Sequence, residues 1–279
     1  MVQALYIVAT PIGHLADITM RALEVLKQVD LIAAEDTRHS KKLLDHYQIS
    51  TPLLSYHEFG GDKQLNQVLQ RLKNDESVAL ISDAGTPLIS DPGYRLVVEA
   101  RLLGCKVIPV PGVSAVTTAL SVAGLPTDQF TFYGFLPAKQ KARCDVLDGI
   151  KDLKSTSIFY EAPHRILATL KDCVDILGAE RLICLQRELT KTFETIELKP
   201  AEQLLAWVEA DTNQQRGEMV LLIGGHDGGP EHELDAPMMA LAEAMLEAMP
   251  PKQVSKLLAD YSGINKKSIY QAILDLKKG

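Results

Sequence analysis

Residues 78–92, VALISDAGTPLISDP, constrain the fold of this chain more than any other stretch. Four apolar residues of strand type, 78–81, run directly into a polar turn that contains Gly85 and Pro87. Glycine lets a backbone approach a ligand closely, and proline fixes the shape of a loop. Because open α/β sheets bind ligands outside the carboxyl ends of their strands, we expect this loop to line a binding site. A turn that only connects a strand to a helix is the alternative.

The same pattern of a short apolar run followed by a polar loop recurs along the chain. It occurs at residues 5–9, 30–34 and 106–110, and amphipathic segments of helical period such as 62–73 lie between these runs. This alternation predicts a mostly parallel sheet flanked by helices. A second set of strands, within residues 130–223, predicts a second α/β unit, and the chain after residue 236 is predicted to be helical.

The composition is ordinary for a soluble globular protein, with 46% apolar and 23% charged residues. No apolar run approaches the roughly 20 residues of a membrane helix, and the N-terminus is typical of a first strand rather than a signal peptide. The four cysteines are scattered, with no CxxC and no Cys/His cluster. We therefore expect reduced thiols in a cytoplasmic protein, no association with a membrane and no metal site.

The charge is distributed unevenly. The whole chain carries −7, whereas six lysines and two acids give residues 250–279 a charge of +4 and leave −11 for residues 1–249. The total excludes a globally basic nucleic-acid binder. Two helices around a short turn at residues 262–265 give the tail a helix-turn-helix-like outline, which suits an RNA backbone or a packing and dimerisation element.

The usual nucleotide and hydrolase motifs are absent. The chain has no G-x-G-x-x-G after its first strand, no G-x-x-x-x-G-K-[ST], no G-x-S-x-G and no H-E-x-x-H, which argues against a dinucleotide or ATP enzyme of standard type. What is left is a group of loops that follow strands in both units, at residues 10–13, 83–87, 111–115, 160–165 and 187–191. A cleft between two α/β units, lined by such loops, is an ordinary small-molecule site.

Seven segments, in chain order, resemble one family. They are TPIGHLADIT, AAEDTRHSKKLL, SDAGTPLISDPGY, VPGVSAVTTALSVAGLP, FYGFLP, FYEAPHR and RELTKTFETI. Together they resemble the tetrapyrrole methylases, the class III S-adenosylmethionine methyltransferases, and within them the bacterial enzymes that methylate a 16S rRNA cytidine on its 2′-oxygen. The resemblance covers residues 4–223, and the helical tail is also of the family's type. His14 stands where the family has Asn, so no side-chain role is carried over to it.

The resemblance implies an α/β fold with two α/β domains of the tetrapyrrole methylase type, residues 1–112 and 113–226, and a helical C-terminal segment, 233–279. It also implies S-adenosyl-L-methionine in the cleft between the domains, a homodimer, and 16S rRNA of the small ribosomal subunit as the partner. Carried over by position, the cofactor-binding residues are Pro11, Gly13, Asp83, Ala84, Gly85, Thr86, Ser114, Ala115, Leu136, Tyr160 and Glu188.

The implied reaction is attack of a ribose 2′-oxygen on a sulfonium methyl group, which leaves the protein mainly to position two reactants. A base or a cation near the oxygen would assist a poor nucleophile. Glu35, Asp36 and Arg38 form the densest polar cluster and are the predicted catalytic residues. A structural ion pair near a strand end explains Asp36 and Arg38 as well.

Other residues and other functions stay open. Glu161 is an alternative catalytic carboxylate or a helix cap, and Arg187 and Glu188 are further catalytic alternatives. Arg38 and Lys191 suit RNA phosphate. The basic stretch 139–143 is a second place where RNA could lie, or an exposed first turn of a helix. A tetrapyrrole precursor methylase would share the cofactor cleft without needing a basic tail. A non-catalytic module that binds a nucleotide or RNA is the other alternative.

Overall fold

The computed structural model describes residues 2–57, 61–226, 236–262, 264 and 266–276. They form two compact units. One comprises Met1–Ile150 and Ser155–Gly224, and the other comprises Lys151–Lys154 and Gly225–Gly279. The predicted division of the first unit at residue 112 stays a prediction. The glycine-rich sequence of residues 224–230 predicts a linker, and most of it lies outside the described residues. Two residues of the predicted turn at 262–265 also lie outside them.

The first half of the larger unit contains a five-stranded parallel sheet, as the alternating pattern predicted. Its strands, in the order β3-β2-β4-β1-β5, are β1 (Leu5–Val8), β2 (Leu31–Ala34), β3 (Leu53–Ser55), β4 (Val78–Ile81) and β5 (Val107–Val110). Helices α1 (Met20–Gln28), α2 (Thr37–His46), α3 (Gly61–Lys73) and α4 (Tyr94–Leu102) connect them. Every residue of β2 and β4 is buried, because apolar clusters cover both faces of the sheet.

The second half contains a mixed five-stranded sheet. Its strands, in the order β6-β7-β10-β8-β9, are β6 (Phe130–Phe135), β7 (Thr156–Glu161), β8 (Leu182–Arg187), β9 (Thr195–Pro200) and β10 (Met219–Ile223). Only β6 and β7 pair in parallel. The helices are α5 (Ala115–Val122), α6 (Gln140–Ile150), α7 (Ile166–Leu177) and α8 (Ala201–Ala210). The predicted second α/β unit is therefore present.

Helix α6 corrects the interpretation of the basic stretch 139–143. Arg143 is buried, at 4% exposed, and its guanidinium pairs with Asp172 of α7 at 2.6 Å. Gln140 also donates to Asp172, at 2.9 Å. Because Arg143 is committed to this buried pair, it is not available to RNA; only Lys139 and Lys141 of the stretch offer exposed cations.

The described part of the smaller unit contains three helices, α9 (Ala236–Leu246), α10 (Pro251–Ser262) and α11 (Lys266–Leu276). The break between α9 and α10 ends at the Pro250-Pro251 pair, and Pro251 begins α10. Its buried apolar residues are Ala242, Val254, Leu258, Ile264, Ile269 and Ile273. Lys252, Lys256 and Lys266 are exposed. Of the helices described, none combines the length and the apolar character needed to cross a membrane.

Candidate active site

Three of the predicted loops converge at the carboxyl end of the parallel sheet. Thr10, after β1, and Gly85, after β4, exchange two backbone hydrogen bonds of 2.9 and 3.0 Å. The Thr86 hydroxyl donates to the carbonyl of Val113, after β5, at 2.9 Å. Gly85 has φ of +79°, a left-handed conformation that a side chain would strain. Gly85 and Thr86, both predicted to bind cofactor, therefore hold the loops together.

The loop after β1 also contacts the second sheet. The His14 N–H donates to the Thr190 hydroxyl in the β8–β9 loop at 3.0 Å. The His14 ring accepts from the Ala16 N–H at 3.3 Å, which is the local capping bond that an Asn side chain also makes. His14 thus caps the short helical turn at Leu15–Asp17, and the loops of the two sheets lie side by side.

Gly13 sits where these loops touch, which gives a first prediction. A Cβ atom there would lie 2.6 Å from Lys191 Cγ and from Thr190 Oγ1, so the β8–β9 loop must move aside. We expect Gly13→Ala to lower the free energy of unfolding by about 1–3 kcal/mol, as overpacking does, and to weaken ligand binding. Chemical denaturation measures the change.

Gly149→Ala is the matched control. Nothing lies within 4 Å of its Cβ position, inside helix α6. Because alanine is the better helix former, this variant should be as stable as the parent or slightly more stable. Equal stability of the two variants would show that the loops at Gly13 adapt without cost.

A cleft of about 440 Å³, here called the main cleft, is bounded by loops of both sheets. Five of the predicted site residues line it: Glu35, Asp83, Ala84, Ala115 and Tyr160. Leu189, Gly217 and Met219 close it from the β8 and β10 side. The main cleft is therefore where the predicted loops meet.

A second cavity of about 360 Å³, here called the side cleft, adjoins it. Pro11 and Gly13 line the side cleft, together with residues of α2. Four residues line both clefts: Ile12, Asp83, Ala84 and Glu218. The predicted cofactor loops thus face two neighbouring cavities rather than one.

The other predicted cofactor residues line neither cleft. Ser114 precedes the first turn of α5, and Leu136 is 1% exposed in the core of the second sheet. The Glu188 carboxylate accepts from the Glu218 N–H at 2.9 Å and from Lys191 Nζ at 3.0 Å. Burial raises the pKa of Glu188, but these bonds outweigh burial, so the pKa lies below its ordinary value. Glu188 therefore fixes the loops that flank the clefts.

Of the three predicted catalytic residues, only Glu35 lines a cleft. Asp36 caps helix α2 by accepting from the Arg38 N–H at 2.8 Å, and the two side chains form an ion pair at 3.2 Å. The Arg38 side chain is 91% exposed. Hydrogen bonds from Arg38 lower the pKa of Asp36 to about 2. This geometry favours a structural ion pair near a strand end, the alternative to a catalytic role for Asp36 and Arg38.

Five acidic side chains line the main cleft: Glu35, Asp83, Asp91, Glu161 and Glu218. Burial, followed by the charges of Asp91 and Asp83, raises the pKa of Glu35. Burial and the charge of Asp83 likewise raise the pKa of Asp91. Burial and the Asp91 charge raise the pKa of Tyr160 to about 12. The main cleft is thus electronegative, suits a cationic group, and holds carboxyl groups that accept a proton readily.

The loops around the clefts contain strained backbone. Leu88 and Ser90 in the β4–α4 loop have φ of +73° and +67°, and Glu188 and Thr190 in the β8–β9 loop have φ of +51° and +64°. Residues other than glycine rarely adopt this conformation, and such residues cluster at functional sites. No sequence signal marks them, because leucine and glutamate do not favour this region. Within the described residues, no group of three or more His, Cys, Asp and Glu side chains is arranged to hold a metal.

Comparisons with known proteins come from family profiles and from individual relatives. The profile described as Tetrapyrrole (Corrin/Porphyrin) Methylases matches residues 4–205, and the profile described as RsmI C-terminal HTH domain matches residues 232–277. Proteins named "Ribosomal RNA small subunit methyltransferase I" are 50% identical in Escherichia coli O157:H7 and 49% identical in Vibrio cholerae. These alignments cover 97% and 96% of this chain, and 94% and 93% of the relatives.

Solved structures resemble this chain in fold. A cobalt precorrin-4 methyltransferase matches with a TM-score of 0.58 and 19% identity, over 80% of this chain and 95% of that one. A diphthine synthase matches with a TM-score of 0.62 and 14% identity, over 79% and 89%. At these identities the likeness concerns the fold alone.

Proposed function

Since this chain belongs to the tetrapyrrole methylase family and, within it, to the ribosomal RNA small subunit methyltransferase I group, we propose that it methylates the ribose 2′-oxygen of a cytidine in 16S rRNA. The family and the fold class predicted from the sequence are confirmed, and the chain is a methyltransferase. The observation that carries the proposal is the main cleft, where loops of two sheets meet around a group of acidic side chains that includes Glu35, Asp83 and Asp91.

We propose S-adenosyl-L-methionine as the methyl donor in the main cleft. The volume of about 440 Å³ lies in the range of small-molecule sites. Bound there, the donor supplies a methyl group already activated by a positively charged sulfur. Ala84, Ala115 and Tyr160 would hold the ligand, and the negative charge of Asp83 and Asp91 complements its cation. Residues of both halves line the main cleft and would surround the bound donor.

Glu35 is the residue that we propose as proton acceptor. It lies between β2 and α2, half-buried on the wall of the main cleft. A ribose hydroxyl is a poor nucleophile, and a base with a pKa raised toward neutral pH both ionises and accepts a proton efficiently. Burial and the neighbouring Asp91 give Glu35 a pKa above the ordinary value. Asp36 and Arg38 would then serve to fix the start of α2.

Methyl transfer to competing acceptors tests the function. Labelled S-adenosylmethionine is offered with small ribosomal subunits, with naked 16S rRNA and with a tetrapyrrole precursor. We expect label on the 2′-oxygen of one cytidine. Label only on the tetrapyrrole would mean that the chain is a tetrapyrrole precursor methylase. Binding of the cofactor without any transfer would mean that it is a non-catalytic module.

The helical tail is proposed to bind the small subunit, since Lys252, Lys256 and Lys266 are exposed on a compact unit of its own. We expect deletion of residues 236–279 to weaken binding to small subunits and to leave the affinity for S-adenosylmethionine nearly unchanged. Sedimentation with subunits and calorimetry with the cofactor measure the two affinities. Loss of cofactor binding in the truncated chain would mean that the tail is structural.

The homodimer and the cytoplasmic location, which follow from the resemblance and the cysteine pattern, stay predictions. Sedimentation equilibrium of the purified chain tests the first, and fractionation of cells tests the second.

A further inference from the structure

The side cleft contains a buried polar atom that lacks a partner. Ser40, on α2, lines this cleft and is 3% exposed. Its hydroxyl makes no hydrogen bond to any described residue. Buried polar groups are nearly always hydrogen-bonded, because an unpaired one loses its bonds to water without replacement. An unpaired hydroxyl on a cavity wall therefore indicates that the cavity receives a polar ligand group.

The charge of the side cleft differs from that of the main cleft. His39 and Lys42 lie on its α2 wall, and the Lys42 side chain is exposed and forms no ion pair with any described residue. Lys191, on the opposite wall, is neutralised by Glu188 and Glu218 at 3.0 and 2.9 Å. Lys42 is thus a cation available to a ligand, whereas the main cleft presents carboxylates. Asp83 and Glu218 also line the side cleft, but the described lining of the main cleft has five acidic side chains and neither lysine nor arginine. Of the two cavities, an anion therefore prefers the side cleft.

The two clefts are also placed to serve one reaction. They share Ile12, Asp83, Ala84 and Glu218, so a ligand in one lies beside a ligand in the other. The segment that carries Glu35 into the main cleft continues as α2, which carries Ser40 and Lys42 into the side cleft. The Asp36 N–H donates to the Asp83 carboxylate at 3.0 Å and holds this segment against the shared wall.

We propose that the side cleft binds the sugar-phosphate backbone of the acceptor RNA, and this inference rests on the proposed function. Lys42 contacts a phosphate next to the target nucleotide, and the Ser40 hydroxyl bonds to a phosphate or ribose oxygen. Phosphate contacts of this kind set the position of a nucleic acid and carry no sequence information. The target ribose then reaches the shared wall, where Glu35 faces the main cleft.

The test uses Lys42→Gln and Ser40→Ala in the full-length chain, with Lys27→Gln on α1 as the control. We expect each cleft variant to raise KM for small ribosomal subunits roughly tenfold, as expected for one hydrogen bond to a charged group, and to leave the Kd for S-adenosylmethionine unchanged. Lys42→Gln should also reduce by about one the slope of the logarithm of the subunit-binding constant against the logarithm of the salt concentration. Ser40→Ala should not lower stability, because it removes an unpaired polar atom.

Three results would overturn the proposal. If both variants keep the parent's KM and salt dependence while the parent methylates subunits, the side cleft is not an RNA subsite and the proposed function stands. If the Kd for S-adenosylmethionine rises in step with KM, the side cleft belongs to the cofactor. If the parent transfers no methyl group to subunits or naked 16S rRNA, the proposed function fails and the subsite fails with it.

Discussion

Replacing Glu35 by Gln is expected to lower kcat for methyl transfer by roughly 10²- to 10⁴-fold, the range that loss of a general base produces. The amide keeps the size of the side chain but accepts no proton from the ribose hydroxyl. Glu35 lies on the wall of the main cleft, half-buried beside Asp83 and Asp91. Binding of S-adenosylmethionine and of subunits should change little, so single-turnover transfer is the measurement that isolates the effect.

The pH dependence of kcat adds a sharper readout. Activity needs ionised Glu35 and should rise with pH through the raised pKa of this residue. Asp91→Asn removes a negative charge that raises that pKa, so the acidic limb of the profile should move to lower pH. Glu209→Gln, in an exposed pair with Lys171 on the far helices α7 and α8, should leave the profile unchanged.

Stability separates this chemical effect from misfolding. A carboxyl group whose pKa is raised by folding contributes stability below its unfolded pKa, and that contribution is lost as the pH rises through the folded pKa. At neutral pH, Glu35→Gln should therefore be at least as stable as the parent. A stable variant that keeps its kcat would remove Glu35 from the reaction, and Asp91 would be the next candidate.

Much of the fold follows from local sequence. The apolar run and turn at residues 78–92 produce β4, the central strand of the parallel sheet, and the loop that lines both clefts. The missed strand, β3, has only three residues, too few for a periodic signal. Helix α2 begins at Thr37, because the side chain of Asp36, a predicted catalytic residue, caps it.

The site was less predictable because it is built by contacts between distant segments. The polar cluster at Glu35, Asp36 and Arg38 is dense along the chain, but two of its members satisfy each other and only Glu35 reaches a cleft. Asp91 belongs to residues 78–92, but the sequence does not show that its charge raises the pKa of Glu35 and of Tyr160. That effect arises only when the fold brings the three side chains together. Arg143 looked available to RNA until α7 brought Asp172 beside it.

Glu161, the alternative catalytic carboxylate of the sequence, is placed to stabilise the fold. It ends β7 on the wall of the main cleft, and its side chain is fully buried. One oxygen accepts from the Ala162 N–H at 2.7 Å and from Arg165 Nε at 2.8 Å. The other accepts from the Thr169 hydroxyl at 2.6 Å. Because both oxygens are engaged with protein donors, the carboxylate is a structural anchor for the turn that leads into α7.

We expect Glu161→Ala to lower the free energy of unfolding by about 3–5 kcal/mol, because the change leaves the Arg165 guanidinium, 16% exposed, without its counter-charge. Thr169→Val removes a single hydrogen bond but strands one carboxylate oxygen, and should cost about 1–3 kcal/mol. Urea denaturation of the two variants measures the difference. If Glu161→Ala is as stable as the parent but does not transfer methyl groups, Glu161 takes part in the reaction. Glu35 would then not be the only carboxylate of the main cleft with a catalytic role.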